Sequence, residues 1–83
     1  MPSILKPVST AVDINNAAST VSNATLVSVA NTTAAPTQVV DQGTGFNIYI
    51  GAGERVFIEK ASDSSLEAPD AGPVWATAVS YKA

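Results

Sequence analysis

Two glycine pairs near the middle of the chain have a spacing that could support chemistry. They lie in Gly43-Thr44-Gly45 and Gly51-Ala52-Gly53, and closely spaced glycines occur in loops that cradle phosphate groups. A dinucleotide-binding loop needs a third glycine three residues later and then a helix, but Val56 occupies that position and a strand is predicted there. The Gly-Lys-Ser/Thr sequence of nucleoside-triphosphate loops is absent as well. We therefore interpret both glycine pairs as turns.

Acidic side chains are concentrated in the C-terminal half, where paired carboxylates could bind a hard cation or transfer protons. Positions 54 and 59, five residues apart on a predicted strand, fall on opposite faces, and the acidic spacing matches no calcium-binding loop. We expect a solvated edge rather than a metal site. Five of the seven acidic residues are in this region: Glu54, Glu59, Asp63, Glu67 and Asp70.

Nucleophilic catalysis has little support in the residue types present. The chain has no His to activate a Ser or Thr, and it has no Cys. Lys60 next to Ser62 or Ser64 remains a formal Ser–Lys combination, but a loop is predicted there. Without His and Cys the usual zinc sites and disulfides are excluded. We therefore predict that the protein is not an enzyme, and we expect no metal and no cofactor.

All five aromatic residues lie in the C-terminal half, and four of them could form a ligand platform: Tyr49, Phe57, Trp75 and Tyr81. Aromatic side chains on strands are more often part of a core than of a binding face. We expect Trp75 to lie at the centre of the core, or of a subunit interface where its indole N–H finds a partner.

The composition indicates one small domain, residues 1–83, with a weakly charged surface. The chain has 83 residues, 46% of them hydrophobic and 13% charged, and a net charge of −3. Its four basic residues are scattered, which argues against nucleic-acid binding. No apolar run is long enough to span a bilayer. A chain this short has a thin stability margin, so we expect it to associate with copies of itself or with another protein.

Period-two alternation and regularly spaced turns predict an all-β fold with about six to seven short strands. The pattern is typical of a small antiparallel β-sandwich or barrel and leaves that choice open. We expect Phe46–Ile50 and Arg55–Lys60 to form a hairpin around the second glycine pair. A single helical turn is predicted within Ser62–Ala68, with Leu66 pointing inward. The predicted strands cover residues 8–12, 24–30, 37–41, 46–50, 55–60 and 74–81.

The N-terminal residues 1–7 predict an extended arm or edge strand. Pro2 and Pro7 disfavour a helix and flank the apolar pair Ile4 and Leu5. Such an arm could lie as a strand or clasp on a neighbouring subunit. Ile4, Leu5 and Trp75 are therefore the candidate partner-interface residues.

The segment GERVFIEKASDSSLEA followed by VWATAVSY resembles small virion proteins of tailed bacteriophages, including phages of cyanobacteria. In those proteins a Gly-Glu-Arg turn precedes a strand, a Ser/Thr-Asp-x-Leu-x-Ala segment follows, and a last strand closes the chain. The resemblance covers about the last 40 residues of the 83, and the opening MPSILKPVSTAVDI fits loosely. It includes no catalytic motif.

The resemblance implies a structural virion protein, with capsid decoration, or cement, as the expected role. Its partner would be the major capsid protein, whose neighbouring subunits it would bridge as a homo-oligomer, a dimer or a trimer. The expected location is the outer surface of the capsid, after synthesis in the cytoplasm of the bacterial host. Two alternatives remain open: a head–tail connector or tail accessory protein, and a stand-alone β module that binds a small ligand or glycan.

Overall fold

The fold is a two-sheet antiparallel β-sandwich, which confirms the predicted all-β class. The computed structural model describes residues 5–81, with side chains for residues 6–80. Within this range eight short strands take the place of the predicted six to seven. They are β1 (Leu5–Pro7), β2 (Val12–Asp13), β3 (Leu26–Asn31), β4 (Thr37–Asp41), β5 (Asn47–Ile50), β6 (Arg55–Glu59), β7 (Leu66–Glu67) and β8 (Val74–Tyr81).

The larger sheet has the strand order β1-β8-β3-β6, and β2 also pairs with β8. Strands β1 and β2 lie along the same edge of β8, with Pro7 opposite Val79 and Val12 opposite Ala76. Between them the chain leaves the ladder, and Ser9 Oγ accepts a hydrogen bond from the Ala78 amide at 3.0 Å. The predicted continuous strand over residues 8–12 is therefore wrong, because a side chain replaces the backbone as ladder partner here.

The smaller sheet has the order β5-β4-β7, and its hairpin is not the predicted one. Strand β5 pairs with β4 through a turn in which the Asp41 amide donates to the Phe46 carbonyl at 2.9 Å. Strand β6 pairs with β3 in the other sheet. The expected β5–β6 hairpin is wrong because Gly51-Ala52-Gly53 carries the chain from one sheet to the other. Gly53 has a φ of +75° there, and its amide donates to the Asn31 carbonyl at 3.0 Å.

The core lies between the two sheets and consists of aliphatic side chains. Strand β8 contributes its smaller face, Val74, Ala76 and Ala78, while Trp75 points outward and is 41% exposed. The prediction that Trp75 forms the centre of the core is wrong, because the inner face of β8 takes small residues that let the sheets approach. The buried cluster is Ile14, Val21, Val27, Val29, Val39, Ile50, Leu66, Ala68, Val74, Ala76 and Ala78.

Residues 62–68 and the N-terminal arm each contribute a short strand, to the smaller and the larger sheet respectively. The segment 62–68 forms a turn, with the Ser64 amide donating to the Ala61 carbonyl at 3.0 Å, and then strand β7. The predicted helical turn is wrong, whereas Leu66 does point inward and is fully buried. The N-terminal arm is extended from Leu5 to Pro7 and pairs with β8 of its own chain. Ile4 lies outside the described residues.

Candidate binding surface

The outer face of the larger sheet presents exposed aromatic side chains in adjacent rows. Trp75 and Arg55 both lie opposite Ala30, and Phe57 lies opposite Ser28 in the next row. Trp75 is 41% exposed and Phe57 46% exposed. Directly opposite residues share a face of the sheet, so these side chains form one continuous surface. We call this surface the aromatic face.

Arg55 reaches from the edge strand β6 across the aromatic face. Its Nη1 donates to Ser28 Oγ at 3.0 Å, and Ser28 is only 4% exposed although it points outward. The guanidinium thus satisfies a polar group that would otherwise need water in the middle of the face. An aromatic surface with an Arg and few free polar groups has the composition of protein–protein interface centres, where Trp and Arg are over-represented.

A groove opens between the edges of the two sheets, beside β5 and β6. It has a volume of about 310 Å³, and Phe46, Ile48 and Ile58 are among its lining residues. Phe46 and Ile48 lie on the same face of the chain as the buried Ile50, yet they are 77% and 45% exposed. In the part of the chain that the structure describes, the sandwich is open along this side.

The outer face of the smaller sheet is polar and carries one exposed aromatic ring. Tyr49 is 66% exposed and lies opposite Gln38. Gln38 Oε1 accepts a hydrogen bond from Asn47 Nδ2 at 2.8 Å, and Gln38 Nε2 donates to Asp70 Oδ2 at 3.3 Å. This row of two amides and a carboxylate beside an aromatic ring differs from the aromatic face on the opposite side of the sandwich, where two aromatic rings and one Arg are exposed.

The predicted interface residues do not form one cluster. Leu5 pairs with Tyr81, six residues along β8 from Trp75, which corresponds to about 20 Å at the rise of a β-strand. The structure describes the backbone of Leu5 and the side chain of Trp75 but no part of Ile4. Their role in an interface stays a prediction. The sequence analysis named Phe57 as a possible platform residue but favoured the core for it, although its sharing a strand face with Arg55 and Glu59 was a usable signal of exposure.

Three acidic residues of the C-terminal half, Glu54, Glu67 and Asp70, act locally as hydrogen-bond acceptors. Glu54 Oε1 accepts from the Gly51 amide at 2.7 Å, which fixes the crossing turn. Glu67 Oε1 accepts from Gln42 Nε2 at 2.8 Å. Among residues 5–81, no group of three or more Asp or Glu side chains is placed to hold a metal ion. The carboxylate of Glu54 thus stabilises a turn, and that of Glu67 stabilises a surface contact.

Lys60 is the one basic side chain of the described range that is buried, at 6% exposed. Its Nζ donates to the Ala24 carbonyl at 2.7 Å and to the Ala61 carbonyl at 3.2 Å. Burial lowers the pKa of Lys60 from its ordinary value of 10.5, and the nearby charges of Asp41 and Asp63 oppose this shift. The ammonium group therefore links two backbone segments, and the described contacts do not orient it towards a serine hydroxyl.

Comparisons with known proteins add no family to these observations. No protein-family model matches the chain, and comparison with curated proteins and with solved structures gives no match either. Across residues 5–81, no helix has the length and apolar character needed to cross a membrane.

Proposed function

We propose that this protein is a structural binding module of a phage particle, a capsid decoration protein that bridges subunits of the major capsid protein. The observation that carries the proposal is the aromatic face, where Trp75 and Phe57 remain exposed on a sheet whose opposite side is the core. The resemblance of the last 40 residues to small virion proteins supports the same role.

Decoration would stabilise the capsid by mass action. A protein that binds only the assembled shell stabilises it by about 2.7 kcal/mol per site at a hundredfold excess over Kd. Each binding event would bury Trp75 and Phe57 in the centre of the contact, where aromatic side chains contribute most of the binding energy. The weakly charged exterior suits this role, because few charges lose their hydration on docking.

The decisive experiment adds the purified protein to particles that lack it. Trp75 is the only Trp in the chain, so its fluorescence reports directly on burial of the aromatic face. We expect a blue shift on binding and greater resistance of the particles to heat and to low salt. Trp75→Ser should weaken binding by about 30-fold or more, as expected for a residue at the centre of an interface.

Tyr49→Ser is the matched control, because Tyr49 is also an exposed aromatic residue but lies on the outer face of the other sheet. It should bind the particles like the unaltered protein. Equal loss of binding in both variants would contradict a contact through the aromatic face. Particles that survive heat and low salt equally well with and without the protein would contradict the decoration role itself.

Copy number separates decoration from the connector or tail alternative. A decoration protein is present in numbers comparable with those of the major capsid protein, whereas a connector or tail accessory forms a ring or a small set of copies at one place. Densitometry of purified particles separated on a gel measures this ratio. A ratio far below that of the capsid protein would favour the connector or tail role.

A second candidate function, binding of a glycan or small ligand, is favoured by the surroundings of Tyr49. An exposed aromatic ring flanked by Gln38, Asn47 and Asp70 combines a stacking surface with hydrogen-bonding groups, as sugar-binding sites require. Titration with a glycan array would show binding that Tyr49→Ser abolishes and Trp75→Ser leaves intact. Absence of binding across the array would remove this candidate.

A further inference from the structure

Strand β6 ends the larger sheet and has an unpaired edge in the described part of the chain. Within residues 5–81 it pairs only with β3, and the amides of Asn31 and Lys60 donate to the carbonyls of Glu54 and Thr25, both at 2.9 Å. Because hydrogen-bonding direction alternates along an antiparallel strand, the even-numbered residues of β6 bond to β3. The N–H and C=O groups of the odd-numbered residues, Arg55, Phe57 and Glu59, therefore point away from the sheet.

We propose that two copies of this chain pair through these edges, with the two β6 strands antiparallel and related by a two-fold axis at Phe57. In that register Phe57 lies opposite Phe57 of the second copy, and Arg55 lies opposite Glu59 of the second copy, twice by symmetry. All three odd-numbered residues then form hydrogen-bonded pairs, each exchanging both N–H···O=C bonds. A second copy is the occupant because the edge is complementary to itself.

Charge complementarity selects this register over its neighbours. Arg55 and Glu59 are exposed and four residues apart on one strand, so only a pairing centred on Phe57 brings opposite charges face to face. A shift of two residues places Arg55 opposite Phe57 and leaves the charges without partners. A shift of one residue places the odd-numbered residues of one copy opposite even-numbered residues of the other. The backbone groups of those even-numbered residues are already bonded to β3, so the two strands could not form hydrogen bonds. Register is thus specified by both backbone and side chains.

The same pairing brings together the open sides of two sandwiches. A two-fold axis between antiparallel strands is perpendicular to their sheet, so the smaller sheets of both copies lie on the same side. The β5 edges of the two copies then face each other, and the groove of each copy, where Phe46 and Ile48 are exposed, opens towards the other copy. The dimer extends the aromatic face across both copies and reduces the water contact of the groove.

Charged residues on an edge strand also have a different use, which is to prevent pairing with unrelated strands. The charge pattern of β6 does this and still permits pairing with its own copy, since opposite charges meet only in the self-pairing register. If the charges served only as protection, the protein would be a monomer. The two possibilities therefore differ in oligomeric state and in their response to charge exchange.

A charge-exchange experiment tests the dimer. Arg55→Glu and Glu59→Arg each replace two attractive pairs with two like-charge pairs, and each should weaken self-association about tenfold or more. Arg55→Glu has an acidic residue at both ends of β6, and Glu59→Arg has a basic residue at both ends. A mixture of the two variants in equal amounts should therefore form a heterodimer, because opposite charges then meet at both ends of the strand pair. The double exchange, Arg55→Glu with Glu59→Arg, should restore the homodimer. Sedimentation equilibrium over a concentration series measures each constant.

Phe57→Pro tests the backbone pairing separately. The Phe57 amide points away from β3, so proline removes a donor from the edge without removing one from the chain's own sheet. We expect loss of dimers with the thermal unfolding transition largely retained, whereas Phe57→Leu should still dimerise. Association that persists in Phe57→Pro would overturn the edge pairing.

A monomeric unaltered protein, or a dimer unaffected by the charge exchanges and by their mixing, would overturn the inference. A trimer would overturn it too, because a two-fold strand pair closes at two copies. None of these measurements involves a phage particle, so their outcome is independent of the proposed function.

Discussion

Asn31 links the two sheets at the point where the chain crosses between them, and its replacement should be severe. It ends β3, is 1% exposed, and its Nδ2 group donates to the carbonyls of Ile50 at 3.0 Å and Gly51 at 3.1 Å. The same group donates to the Ala35 carbonyl at 3.0 Å. Its Oδ1 accepts from the Thr33 amide at 2.9 Å. One amide side chain thus serves the end of β5 and the loop before β4.

The magnitude follows from the hydrogen bonds that Asn31→Ala would remove. The bond to the Ile50 carbonyl is buried, so water cannot replace it, although that oxygen keeps a backbone donor where Thr37 lies opposite Ile50 in the ladder between β4 and β5. Each lost bond of the Asn31 side chain costs about 0.5–1.5 kcal/mol. With partial rehydration we expect a loss of about 2–4 kcal/mol in the free energy of unfolding. For a domain of this size that lowers Tm by about 10–25 °C.

Asn31→Asp is the most informative variant because it preserves the shape and the acceptor oxygen while removing the donor. A carboxylate would face the Ile50 and Gly51 carbonyls, so at neutral pH this variant should be at least as destabilised as Asn31→Ala. Lowering the pH protonates the carboxylate and restores a donor, which should recover part of the loss. Thermal and urea unfolding followed by circular dichroism measure both effects.

Asn47→Ala is the matched control. Asn47 is exposed on β5, its Nδ2 donates to Gln38 Oε1, and we expect a change within about 0.5 kcal/mol. If Asn31→Asp unfolds within a few degrees of the unaltered protein at neutral pH, the role assigned to the Asn31 donor is wrong. The crossing between the sheets would then depend on the glycine turn alone.

Three further predictions concern stability. Thr37 Oγ1 is the only buried side-chain oxygen or nitrogen without a hydrogen-bond partner among the described residues. Thr37→Val should therefore stabilise the protein by about 1 kcal/mol, as measured by urea unfolding. Thr37→Ser, which keeps the hydroxyl group, should destabilise it. Ser22 is exposed with a φ of +58°, so Ser22→Gly should stabilise by about 0.5–1 kcal/mol, and Ser62→Gly, its control, should bring no gain. The lowered pKa of Lys60 means that the unfolded chain binds this proton more tightly. Stability relative to Lys60→Met should therefore rise as the pH increases towards 10.5, and a flat difference would contradict the burial of the ammonium group.

Strand positions could be predicted because the signals for them are local. The last strand matches residues 74–81 because apolar and small residues alternate there without interruption. The partner strands of β5 and β6 could not be predicted in the same way, since β5 pairs with β4 and β6 with β3. Gly51-Ala52-Gly53 suits both a hairpin and a crossing between sheets, and the choice depends on Asn31, 20 residues earlier in the chain. A contact of that separation leaves no trace in the periodicity of either strand.

The orientation of Trp75 shows why the candidate surface was harder to predict than the fold. Both faces of β8 carry apolar residues, so alternation defines two candidate inner faces without choosing between them. The largest side chain suggests the core, but a small sandwich gains close packing between its sheets from Ala76 and Ala78, which are almost fully buried. The Trp75 ring is then left outside, on the same face as Arg55 and Phe57. Because Trp75 and Phe57 lie on one face as a contiguous exposed patch and not as scattered single residues, this patch is the observation on which the proposed partner contact rests.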